Sequence, residues 1–149
     1  GAYLKIIKIK NSKIMKLIIH TDGGSRGNPG PAAIGAVLED PSGKVLAQVS
    51  ECIGDTTNNQ AEYQAVIAAL REAKKLAATE LDFYLDSELV VKQLNGEYKM
   101  KNKDLSPLFA KICTEKLNYK KVSFNHVRRE FNKAADALVN KALDEQLKS

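Results

Sequence analysis

Two spacings of apolar residues alternate along this chain. Short β-branched runs bounded by turn residues predict strands, and apolar positions three to four apart predict helices. Residues 16–22 form the first such run and end in Asp22-Gly23-Gly24. A second run covers about 33–39, and Asp40-Pro41-Ser42-Gly43 is a turn signal before a third over about 44–52. The first third of the chain is therefore predicted to be three antiparallel strands. Behind Thr56-Thr57-Asn58-Asn59, which offers helix-capping side chains, Ala65, Val66, Ala69, Leu70, Ala73 and Leu76 recur at helical spacing. They predict a helix over about 59–77. A fourth strand over 81–85 ends at Asp86-Ser87, which can cap a second helix that Asn95-Gly96 stops. A helix over 104–116, a strand over 122–127 and a last helix over 132–147 complete the pattern. The order β-β-β-α-β-α-α-β-α implies an α/β fold with a five-stranded mixed sheet flanked by helices.

The chain has 149 residues, 44% hydrophobic and 28% charged, which fits one globular domain of ordinary composition. The main unit is expected over 15–149. Residues 1–14 stand apart as an extension, either the remnant of a tag or an extra edge strand built on Leu4-Lys5-Ile6-Ile7-Lys8-Ile9-Lys10. No apolar run approaches the ~20 residues of a membrane span. Cys52 and Cys113 have no metal-site spacing, so a reducing, cytoplasmic setting without disulfides is expected. The net charge of +5 inclines the partner toward a polyanion.

Four acids occupy unusual places. Asp22 and Asp86 end predicted strands, where open α/β sheets bind ligands. Glu62 shares a helix face with Val66, Ala69 and Ala73, and Asp136 shares one with Val139 and Leu143. Singly, each reads as a turn, cap, dipole or lysine-paired residue. Together, converging carboxylates repel one another unless cations intervene. Oxygen-only donor sets suit Mg²⁺ or Mn²⁺. A pair of such ions is a common device for phosphodiester cleavage.

Four segments carry a family likeness: Thr21-Asp22-Gly23-Gly24-Ser25-Arg26-Gly27-Asn28-Pro29-Gly30-Pro31, Thr56-Thr57-Asn58-Asn59-Gln60-Ala61-Glu62, Leu85-Asp86-Ser87 and Asn132-Lys133-Ala134-Ala135-Asp136. In content and order they resemble the four motifs of type 1 ribonuclease H, across about residues 16–143. The resemblance implies the ribonuclease H-like fold and an endonuclease that cuts the RNA strand of an RNA/DNA hybrid, leaving 5′-phosphate and 3′-hydroxyl ends. It implies Asp22, Glu62, Asp86 and Asp136 as catalytic ligands of two divalent cations. It further implies contacts to the hybrid's minor groove by Gly27, Asn28, Asn58, Asn59 and Glu88, and a DNA-phosphate contact by Thr57. Double-stranded RNA also offers 2′-hydroxyls and stays open as a substrate. A monomer is expected.

Two departures stand out. Many relatives place a histidine in a loop before the last acid. Here His126 lies in the predicted fifth strand, and Arg128 or Arg129 at the following turn is an alternative source of positive charge. Some relatives also carry a basic protrusion after the second helix, and residues 96–104 leave no room for one. The alternative from another class is a catalytically inactive hybrid-binding module, against which the presence of all four acids argues.

Overall fold

A computed structural model describes residues 14–148. The suggested edge strand within residues 1–14 lies almost wholly outside them. Strands β1 (Lys16–Ser25), β2 (Gly30–Glu39) and β3 (Val45–Thr56) come first. Helix α1 (Asn58–Lys75), strand β4 (Glu80–Leu85), helices α2 (Glu88–Leu94) and α3 (Ser106–Lys116), strand β5 (Lys121–His126) and helix α4 (Lys133–Lys148) follow. The strands lie in the order β3-β2-β1-β4-β5. The first three pair antiparallel, and β4 runs parallel to both β1 and β5. The five-stranded mixed sheet predicted from the sequence is the one observed.

The period-two alternation of β1 sorts its side chains between the two faces of the sheet. Leu17 and Ile19 join Leu81, Phe83 and Leu85 of β4 in the main core, beneath Val66, Leu70 and Ala73 of α1. Phe83 and Phe124 stack across β4 and β5 with ring centroids 5.2 Å apart. The other face receives α4, whose Val139, Ala142 and Leu143 pack on Ala33. Strand β2 lies under helices on both faces, which is why it is buried almost throughout.

Strand β3 runs four residues beyond its expected end. A register shift between Ala32 and Ala33 leaves Ile53 unpaired, and the strand continues through Gly54 (φ +82°), which pairs with Ala32. Between α2 and α3, residues 95–105 contain no helix, so the basic protrusion is absent as expected.

Two close approaches position the elements that matter. A Cβ at Gly23 would lie 2.2 Å from the Ala61 carbonyl carbon, so β1 and α1 touch backbone to backbone. A Cβ at Gly35 would lie 2.4 Å from the Ala135 carbonyl oxygen at the start of α4. Gly35 pairs with Asp22 in the sheet. A Gly35→Ala substitution should therefore lift α4 off the sheet and cost about 2–3 kcal/mol by overpacking. Urea unfolding checks this, and an unchanged midpoint would contradict it.

Candidate functional site

Asp22 lies within β1 three residues before its end, and Asp86 directly follows β4. Because β1 and β4 are parallel neighbours, the two acids emerge at the same edge of the sheet. Helix α1 brings Glu62 to that edge. Its start is fixed by a capping box, in which Gln60 N–H donates to Thr57 Oγ1 (3.2 Å) and Thr57 N–H donates to Gln60 Oε1 (3.2 Å). The Gly23 contact then sets the depth, and Gly23 N–H donates to Glu62 Oε1 at 2.5 Å. One carboxylate oxygen from each of Asp22, Glu62 and Asp86 lies within 4.8 Å of the others, a grouping able to hold a metal ion. Asp136, in the first turn of α4, lines the same cleft, near enough to Asp22 to raise its pKa.

The cleft encloses about 490 Å³. Asn58, Asn59, Arg26, Arg129 and Asn140 line it beside the four acids. Asn58 and Asn59 open α1, and Arg129 lies in the short 3₁₀ turn Arg129–Phe131 that leads into α4. Gly27 (φ +95°) and Asn28 belong to the adjoining loop. That loop is tied down twice. Asn58 N–H donates to Asn28 Oδ1 (3.0 Å), and Asn58 Oδ1 accepts from Ser25 N–H (2.9 Å) and Ser25 Oγ–H (3.1 Å). Arg26 also reaches Asp144 of α4 at 2.6 Å.

Five residues singled out by the sequence do not line the cleft: Gly27 and Asn28 of the adjoining loop, Thr57, Glu88 and His126. Thr57 spends its hydroxyl on the capping box. Glu88 opens α2 and pairs with Lys92 at 3.0 Å. His126 ends β5 opposite Leu85. Three other residues carry no expected role yet hold the site together. Ser25 locks the loop, Asn140 Nδ2 donates to Asp136 Oδ2 (3.3 Å), and Asn132 bridges β1 to α4. Ser25 and Asn132 stand in two of the four family segments. Asn140 shows itself only through contacts.

The electrostatics are unfavourable for the bare protein. Asp22 and Glu62 are 9% and 5% exposed. Burial, followed by the charges of Asp86 and Asp136, pushes the Asp22 carboxyl up to about 7, although the hydrogen bond with Glu62 opposes this. Burial and then Asp22 push Glu62 well above the ordinary carboxylate range. Glu62 Oε2 is buried with no hydrogen-bond partner. An orphaned acceptor between two further carboxylates fits a hard divalent cation, which would meet an all-oxygen donor set.

Comparison with known proteins gives a consistent picture. Residues 20–142 match the family described as Reverse transcriptase-like. The chain is similar to the bifunctional protein Rv2228c of Mycobacterium tuberculosis, with 46% identity over 132 residues, covering 87% of this chain and 36% of that one. It thus spans about a third of the length of that relative. It is similar to a ribonuclease H of Clostridium botulinum, 34% identical, over 87% of this chain and 97% of the relative. Among solved structures, the metagenomic LC11-RNase H1 in complex with an RNA/DNA hybrid superposes with a TM-score of 0.84 at 46% identity, covering 88% and 99% of the two chains.

The raised Asp22 pKa has a consequence for stability. Between the ordinary aspartate value of 3.8 and about 7, the folded state binds more protons than the unfolded state. The metal-free protein therefore loses stability as pH rises through that window, and the full penalty stands above it. In chelator at pH 8, Asp22→Asn should raise the melting temperature by roughly 5 °C. Near pH 4 the gain should vanish. Thermal melts at both pH values check this, and a variant melting lower at pH 8 would contradict it.

Proposed function

The chain belongs to the Reverse transcriptase-like family that includes ribonuclease H, and on that premise we propose that it is a divalent-metal endonuclease cutting the RNA strand of RNA/DNA hybrids. The observation that carries this reading is the cluster of Asp22, Glu62 and Asp86, with a buried Glu62 oxygen left without a partner. The resolved complex of a similar protein with an RNA/DNA hybrid supports the choice of substrate.

Asp22, Glu62, Asp86 and Asp136 would hold the metal. Two Mg²⁺ or Mn²⁺ ions held there would supply an activated water and a counter-charge for the departing 3′ oxygen, and the products would carry 5′-phosphate and 3′-hydroxyl ends. The protein's part is orientation. The Gly23 N–H fixes one Glu62 oxygen and so aims the other into the cluster. Ser25 occupies the Asn58 carbonyl oxygen, which leaves the Asn58 amide N–H₂ to meet the duplex. Asn58 and Asn59, with Gly27 and Asn28 beside them, recognise 2′-hydroxyls in the shallow minor groove. Arg129 adds positive charge beside the phosphate being cut. Thr57, at the cap of α1, contacts a DNA-strand phosphate, and Glu88 reaches the groove after parting from Lys92. Double-stranded RNA, which presents the same 2′-hydroxyls, is a secondary substrate.

End-labelled RNA/DNA, RNA/RNA and DNA/DNA duplexes, each with Mg²⁺, Mn²⁺ or chelator, test the reading. Metal-dependent cutting confined to RNA strands, reduced to background in Asp22→Asn, is expected. Hybrid binding should weaken with added salt, because phosphate contacts release counterions. Retained hybrid binding with no cutting in either metal would replace the enzyme by a binding module.

A further inference from the structure

One fully buried polar side chain ties the two halves of the acid cluster together. Asn132 is 1% exposed and directly precedes α4. Its Nδ2 donates to the Thr21 carbonyl at 2.9 Å, one residue before Asp22. Its own backbone carbonyl accepts the Asp136 N–H at 3.1 Å. A single residue thus links the strand that carries Asp22 to the helical turn that carries Asp136.

The side chain is itself held. Since Nδ2 donates to Thr21, Oδ1 must accept, and its partner is His20 Nδ1 at 3.2 Å. That assigns the hydrogen to Nδ1 of His20. The imidazole in turn stacks on Tyr84, with centroids 5.3 Å apart and planes at 21°. Tyr84 lies opposite His20 in the parallel β1–β4 register, two residues before Asp86. The chain of contacts Tyr84–His20–Asn132–Thr21 therefore reaches the neighbour of Asp22 and the backbone of Asp136, and it starts two residues before Asp86.

We propose that Asn132, held by His20 on Tyr84, is a positioning residue that fixes the separation of Asp136 from Asp22 and so sets the affinity of the site for divalent metal. This rests on the metal-dependent reading of the acid cluster. Groups that orient ligands are commonly worth about 10–100-fold in metal affinity or activity. Asn132→Ala removes the tether and leaves both the Thr21 carbonyl and the His20 N–H without their partner. His20→Phe keeps a ring against Tyr84 and removes only the donor to Asn132.

Calorimetric titration with Mn²⁺, well below the melting temperature, separates positioning from simple stability. Asn132→Ala should weaken Mn²⁺ binding by about tenfold or more, and His20→Phe should weaken it in the same direction by a smaller factor. Cleavage lost at limiting Mn²⁺ should return in both variants at saturating Mn²⁺. A folded Asn132→Ala with wild-type Mn²⁺ affinity overturns the proposal. If that variant does not fold, His20→Phe decides, and an unchanged affinity there overturns it. The wild-type protein distinguishes the two readings. If it binds Mn²⁺ and cuts hybrid while the variants bind equally well, only the positioning role falls. If it binds no Mn²⁺, the metal-dependent reading falls and the positioning role with it.

Discussion

The backbone contact between β1 and α1 at Gly23 is the constraint on which the site depends. With no Cβ at this position, the strand meets the Ala61–Glu62 peptide directly. That approach is close enough for the Gly23 N–H to take a Glu62 oxygen, which places a glutamate in the core-facing stripe of a helix against two aspartates at the sheet edge. Any side chain at position 23 would separate the helix from the strand and carry Glu62 away with it. Gly35 does the same for the opposite face, where it lets α4 bring Asp136 down beside Asp22. The cluster is thus assembled from both faces of one sheet by two positions that tolerate no side chain.

This arrangement works against the stability of the bare protein. The influences that raise Asp22 are burial and other carboxylates, and those that raise Glu62 are the same. A fold that gathers like charges around two buried carboxyls and leaves Glu62 Oε2 without a partner is disfavoured until something positive enters. The hydrogen-bonded surroundings are correspondingly rigid. The capping box, the Ser25–Asn58–Asn28 lock and the Arg26–Asp144 pair hold the rim of the cleft, while Asn132 holds its floor. Rigidity keeps the carboxylates from relaxing apart, which would relieve their repulsion and abolish the site.

The sequence made much of this legible because its local signals agree with the fold. Element order followed from the change between period-two and helical spacing, and the acids were conspicuous for lying at strand ends or on buried helix stripes. What remained hidden depends on contacts between distant residues. The continuation of β3 past Cys52 was obscured because an unpaired Ile53 and a following Gly54 interrupt the period-two alternation. Asn132 meets Thr21 across 111 positions, so no spacing rule could reveal it. At Thr57 and Glu88 the structure adds engagements that spacing did not reveal, the first in a helix cap and the second with Lys92. His126, by contrast, was already readable as a strand residue, and it is one.

The central claim is that the acids at the edge of the sheet form a divalent-metal site. Anomalous diffraction from crystals soaked in Mn²⁺ tests it most directly. The account predicts anomalous density bounded by the carboxylates of Asp22, Glu62 and Asp86, including the Glu62 oxygen that lacks a partner, with further density toward Asp136. Density confined to other surface carboxylates, with the cleft empty at saturating Mn²⁺, would contradict it.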